Sequence, residues 1–103
     1  MLKPNVQEAI NQQINRELFS SYLYLAMSAH FEVQLLKGMA KWMRIQAKEE
    51  RVHAMKFYDY VIDRGSTVAF YPIEAPTAAW DSPLAAFEQA YQHEQKVTGH
   101  IAD

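Results

Sequence analysis

Apolar residues recur at every third or fourth position along most of this chain, and no run alternates with the period of two that a strand would need. The pattern predicts helices from about Asn5 to Glu32, from about Gly38 to Arg64 and from about Pro83 to Asp103. Local signals mark the ends. Asn5 with Glu8 three residues on resembles a capping box, Asn standing in for Ser or Thr. Gly65 follows Arg64, where glycine accepts the left-handed conformation that stops a helix. Ser82 is a natural N-cap, and Pro83 sits where a missing N–H does no harm.

The connections differ. The first two helices are joined by a short stretch near Val33 to Lys37, so they should be antiparallel neighbours. Ser66 to Asp81 is long, holds Pro72 and Pro76, and has no helical period. The second predicted helix is roughly 40 Å long at the usual rise. Extended, the connection reaches roughly 55 Å. It can therefore travel the length of a bundle and restart the chain at the other end, which sets the third helix parallel to the second. Bundles with one long crossover are a known subclass.

Each residue turns a helix by about 100°, which gives every side chain a direction. On the second helix, Met39, Trp42, Met43, His53, Phe57, Tyr60 and Val61 share an arc with Gln46. Glu50 lies inside that arc and Glu49 at its edge, while Lys41, Arg44, Lys48, Arg51 and Asp59 face away. On the first helix, Glu17 shares its arc with Val6, Ile10, Ile14, Ser21, Tyr24, Ser28 and Phe31. On the third, Glu94 does so with Phe87, Ala90, Tyr91, Val97, Thr98 and Ile101. One carboxylate per helix is thus aimed from the middle of an apolar stripe, and His53 lies on the same face as Glu50.

An ionised carboxylate taken out of water without a partner costs several kcal/mol. These stripes hold no inward Lys or Arg apart from Arg64 at a helix end. Protonation, a wide wet cavity or bound cations are the remaining solutions. Carboxylate with imidazole suits Fe, Mn or Zn better than Ca or Mg. Taken singly, Glu17 or Glu94 reads as a rim carboxylate. Glu49 reads as a rim charge, and E-x-x-H recurs by chance. Tyr24 and Tyr91 read as core residues with bonded hydroxyls, and His30, His93 and His100 as surface residues. The joint pattern points to a metal site.

Composition narrows the classes further. The chain has 103 residues, half of them apolar, and a formal net charge of -2, so it is one small globular domain without the basic balance that nucleic acid needs. It has no Cys, which removes disulfides, thiolate metal sites and Cys nucleophiles. Met1 to Asn5 leads into polar sequence rather than an export signal, and the best apolar run, Tyr22 to Phe31, is too short to span a bilayer. The expectation is a soluble, cytoplasmic protein with no nucleic-acid or membrane partner.

Three stretches carry a family likeness: Asn15 to Tyr24 (NRELFSSYLY), Gln46 to Ala54 (QAKEERVHA) and Ala90 to Gln95 (AYQHEQ). Together they resemble the bacterial non-haem ferritins, and the likeness extends over the crossover with its Pro residues and Trp80. The resemblance implies an all-α, ferritin-like four-helix bundle with a long crossover. It implies that Glu17, Glu50 and His53 hold one iron, that Glu50 bridges to a second held by Glu94, and that Glu49 lies at an accessory iron site. It also implies that Tyr24 hydrogen-bonds a ligand or supplies an electron. The chemistry implied is oxidation of Fe(II) by O2 or peroxide at a di-iron ferroxidase centre, with mineral stored in a hollow shell of twenty-four subunits. Haem-binding relatives place Met directly after the residue matching Glu50; Arg51 stands there instead, so no haem is expected.

Ferritin subunits have a fourth long helix that supplies the remaining ligands, whereas this sequence stops within its third. The expectation is an incomplete bundle, a fragment or truncated form, with an open apolar groove. Leu18, Tyr22, Leu25 and Ala29 add a second apolar strip on the first helix, so self-association is expected. In one arrangement, two hairpins pair about a two-fold axis and share Glu17, Glu50 and His53 from each chain. The alternatives to iron storage are a di-metal oxidase that stores no mineral, and a structural self-associating assembly without catalysis.

Overall fold

A computed structural model describes residues 1–76 and 79–102, with side chains as far as Lys96. It contains α1 (Pro4–Val33), α2 (Lys37–Asp63) and α3 (Pro83–Ala102), and no strand among the described residues. Val97, Thr98, His100 and Ile101, assigned above to faces or to the surface, and the end of the third helix at Asp103 lie outside these described parts.

The predicted capping box at Asn5 does not form. Lys3, in extended conformation, is the N-cap of α1 and makes no side-chain cap bond. Pro4 begins the helix instead, because its fixed φ suits the first helical position and its missing N–H is one the helix would leave unpaired. That places Asn5 inside the first turn. At the other end of α1, Leu35 adopts φ 62°. Leu36 N–H donates to the Phe31 carbonyl at 2.9 Å, and Leu35 N–H to Glu32 at 3.1 Å, which is a Schellman closure. α2 closes in the same way: Gly65 has φ 70°, and Ser66 N–H donates to the Val61 carbonyl at 3.1 Å. Gly65 announces its turn in the sequence; Leu35 does not, and its turn is enforced by Leu36 packing back on the core that holds Phe31. Ser82 caps α3 as expected, its Oγ accepting from Ala85 N–H at 3.1 Å.

Residue pairings fix the topology. Leu2 with Ser66, and Asn11 with Thr67, place the start of α1 beside the end of α2, so the two are antiparallel. His30 against Trp80 places the end of the crossover at the opposite end of α1. The crossover has then run most of a molecule whose longest dimension is 48 Å. Phe31 stacks on Phe87, while Tyr24 reaches Glu94 and Ser20 reaches His93. Numbers falling along α1 as they rise along α3 make these helices antiparallel, and α3 therefore runs parallel to α2.

The α1–α2 seam is built on small residues seven apart. Ser21 Oγ donates to the Ala47 carbonyl and Ser28 Oγ to the Ala40 carbonyl, each at 2.7 Å. Ala40, Ala47 and Ala54 are buried and carry too little side chain to hold the backbones apart. Two apolar clusters result. One gathers Leu23, Tyr24, Met27, Phe31 and Met43 with Ala86 and Ala90 of α3; the other gathers Ile14, Ala54 and Val61. Glu17 and Glu50 lie between these clusters along their helices.

Three residues of the predicted α2 stripe are not inside. Trp42 is 47% exposed, and His53 and Tyr60 are exposed too. Ala40, Met43, Ala47, Glu50, Ala54 and Val61 form the buried arc of α2, rotated away from the predicted centre at Gln46. α1 covers one side of the α2 stripe, and on the other side α3 brings the Phe87 ring only to Trp42, 5.6 Å away. Tyr91 is 65% exposed for a similar reason, and Val6 is exposed near the start of α1. The strip of Tyr22, Leu25 and Ala29 is exposed, with Leu18 half-buried.

Candidate metal centre

Glu17 on α1 and Glu50 and His53 on α2 meet across the seam. One ligand atom from each lies within 4.8 Å of the others. His53 Nδ1 is 3.7 Å from Glu17 Oε2 and 3.8 Å from Glu50 Oε2. Two donors about 2.1 Å from a common transition-metal ion would lie about 3–4 Å apart, so the spacing matches shared ligation. Glu17 is only 1% exposed and Glu50 is buried, while the His53 side chain is 51% exposed and forms the open side of the cluster.

Hydrogen bonding leaves an acceptor unused at this point. Gln13 Nε2 donates to Glu17 Oε1 at 3.0 Å, but Glu17 Oε2 is buried with no partner. Among the described residues, no Lys or Arg pairs with Glu17, Glu50 or Glu94. Burial, contact with Glu17 and the charge of Glu94 push the Glu50 carboxyl up to about 9. At neutral pH its carboxyl therefore holds a proton and is neutral. A divalent cation in the same place reverses that preference by supplying the missing positive charge. Of the solutions open to the sequence reading, protonation holds the metal-free centre together. The orphaned Glu17 oxygen is where a cation fits.

Glu94 is half-buried on α3 and accepts a hydrogen bond from the Tyr24 hydroxyl. Burial first, then that bond and the charges of Glu94, Glu50 and Glu17, raise the Tyr24 phenol far above its ordinary range. It stays a proton donor to Glu94. Glu94 lies outside the tight three-residue cluster but is close enough for its charge to act on Glu50. Glu49 is exposed and outside the three-residue cluster, on a rim it shares with His53, Lys48 and Lys56. α3 already occupies part of the face that a second hairpin would need, with Ala86 and Ala90 buried against α1 and α2 residues.

Two assignments change. His93 is half-buried, not on the surface: its ring lies 5.9 Å from Phe19 and 6.2 Å, edge-on, from Tyr24, and its Nε2 is 2.6 Å from Ser20 Oγ. Ser20 gives its single proton to the Arg16 carbonyl at 2.9 Å, so its oxygen accepts and His93 Nε2 carries the hydrogen. Burial lowers the His93 pKa, against the pull of Glu94. His30 is likewise half-buried, with its ring against Trp80 and its Nε2 buried without a partner. Gln13, the donor that orients Glu17, went unread. Its spacing of four residues from Glu17 on the same helix face was the available signal.

A family profile described as the ferritin-like domain matches residues 7–103. The chain is 41% identical over 98 residues to a bacterial non-heme ferritin of Bacteroides fragilis (strain 638R), covering 95% of this chain and 62% of that one. It is 40% identical to a bacterial non-heme ferritin of Staphylococcus aureus (strain USA300), covering 95% and 59%. Among solved structures, an open pore ferritin from the hyperthermophilic archaeon Archaeoglobus fulgidus superimposes with a TM-score of 0.96 at 50% identity, covering 98% of this chain and 62% of that one. The chain spans about three-fifths of the length of these relatives.

Proposed function

The chain belongs to the ferritin-like family, and from that premise we propose that it takes Fe(II) as substrate, oxidises it at the Glu17–Glu50–His53 centre and contributes to mineral storage in an oligomeric shell. One observation carries this reading: the buried, unpartnered Glu17 Oε2 faces the His53 imidazole and the Glu50 carboxyl, with no cationic side chain to neutralise them. Carboxylate and imidazole together suit iron. Gln13 holds the other oxygen of Glu17 and so fixes which oxygen faces the substrate.

In this reading Glu50 gives up its proton as Fe(II) arrives, bridges to a second Fe(II), and Glu94 receives that second ion. The Tyr24 hydroxyl orients Glu94. Glu49 on the rim takes an accessory ion. Two Fe(II) lose one electron each, and O2 gains two electrons and two protons to leave as hydrogen peroxide. Residues 1–103 act as one ferritin-like unit. We place it in the cytoplasm; no described helix is long and apolar enough to cross a membrane.

The test is oxygen consumption after anaerobic loading with Fe(II), compared between the protein and a Glu50→Ala, His53→Ala double variant. Consumption that depends on both residues supports the reading; equal rates, or none above buffer in either protein, refute it. Electron-dense mineral after repeated loading separates storage from oxidation without storage.

A further inference from the structure

A cavity of about 590 Å³ opens between α1, the crossover and α3, and shares no residue with the Glu17–Glu50–His53 cluster. Its wall includes Arg16 and Phe19 of α1, Ile73 and Glu74 of the crossover, and His93 and Lys96 of α3. The volume lies in the range of ordinary small-ligand pockets. Two cations stand in its wall against one carboxylate. Neither Arg16 nor Lys96 makes an ion pair among the described residues. Arg16 reaches only two neutral amide oxygens, those of Gln13 at 3.4 Å and Gln12 at 3.5 Å, both long for charge-assisted bonds. A planar guanidinium with such weak partners is available to grip a carboxylate, and Lys96 on the facing helix adds a second positive charge. Phe19 and Ile73 give the same cavity an apolar wall. Glu74 disfavours a second negative charge.

We infer that this cavity binds a small organic monoanion: a carboxylate head held between Arg16 and Lys96, with an aromatic or short aliphatic body lying on Phe19 and Ile73. The crossover segment at Ile73 and Glu74 thereby acts as one wall of a ligand site. The inference needs no iron, so it stands or falls apart from the proposed oxidation.

The test uses the 103-residue protein without metal. The probes are 3-phenylpropionate, which has head and body, acetate, which has the head alone, and benzyl alcohol, which has the body alone. Amide NMR shifts locate binding, and calorimetry measures it. Phenylpropionate should shift amides around Asn15 to Phe19, Ile73 and Lys96, and bind at least tenfold more tightly than acetate or benzyl alcohol. Arg16→Gln and Lys96→Gln should each weaken it about five- to tenfold, and Glu74→Gln should tighten it several-fold. The opposite signs matter, because non-specific adsorption to exposed apolar surface would not follow them. Lys96 and Glu74 are exposed, so their variants serve even if Arg16→Gln unfolds. Shifts confined to the exposed strip of Tyr22 and Leu25, acetate binding equal to phenylpropionate, or affinities unmoved by the three substitutions would overturn the inference.

Discussion

Replacing Glu50 by Gln should make the metal-free protein more stable and remove most of the stability that a metal adds. Glu50 is raised from an ordinary value of 4.5 to about 9. The folded state therefore holds a proton that the unfolded chain releases near pH 4.5. Stability from this group is fully present below pH 4.5 and is lost progressively as pH rises toward 9. At pH 7, keeping the acid protonated costs about 3.5 kcal/mol, from 2.5 pH units at about 1.4 kcal/mol each. Gln keeps the shape of the protonated acid and its donor, without the titration. Relaxation around the site trims the gain to about 2–3 kcal/mol, or ~10–20 °C in Tm for a domain of this size. At pH 5 the gain should fall to about 1 kcal/mol. The assay is thermal unfolding by circular dichroism in chelator from pH 5 to 9, repeated with anaerobic Fe(II) or redox-inert Zn(II). Wild-type Tm should fall with rising pH, and the Glu50→Gln variant should fall less. Metal should raise the wild-type Tm and scarcely move the variant's. Equal or lower variant stability at pH 7 without metal, or a flat wild-type profile, would refute the electrostatic account of the centre.

Other perturbations test separate parts of the structure. His53→Ala should weaken Fe(II) or Zn(II) binding by on the order of tenfold to a hundredfold, as calorimetry can measure, yet leave metal-free stability nearly unchanged because the side chain is half exposed. Below pH 9, metal affinity at the centre should rise up to about tenfold per pH unit as Glu50 sheds its proton, and calorimetry in buffers of different ionisation enthalpy should count about one proton released. Phe31→Ala deletes a fully buried ring that packs on Phe87, and should cost about 3–5 kcal/mol in denaturant unfolding. Gly65→Ala places a Cβ at φ 70°, where the space is open but the backbone is strained, and should cost about 1 kcal/mol.

Sequence periodicity by itself determined the helices, their order and the carboxylates and imidazole that would be metal ligands, because a period of 3.6 fixes relative directions along one helix. Chain length between helices determined the crossover, since sixteen residues can span a bundle and five cannot. What it left open was rotation. Which half of the α2 stripe is covered depends on where α1 lies, so Trp42, Tyr60 and His53 could be placed on a face but not inside. Only packing brought His93 under Phe19 and Tyr24 and tied it to Ser20, residues about seventy positions away. Only packing, too, set Leu35 in a left-handed turn without a glycine, through the pull of Leu36 on the core. Tertiary structure also decided the charge state at the centre. A carboxyl's proton affinity follows the groups around it in space, and Glu17 and Glu94 reach Glu50 from two other helices.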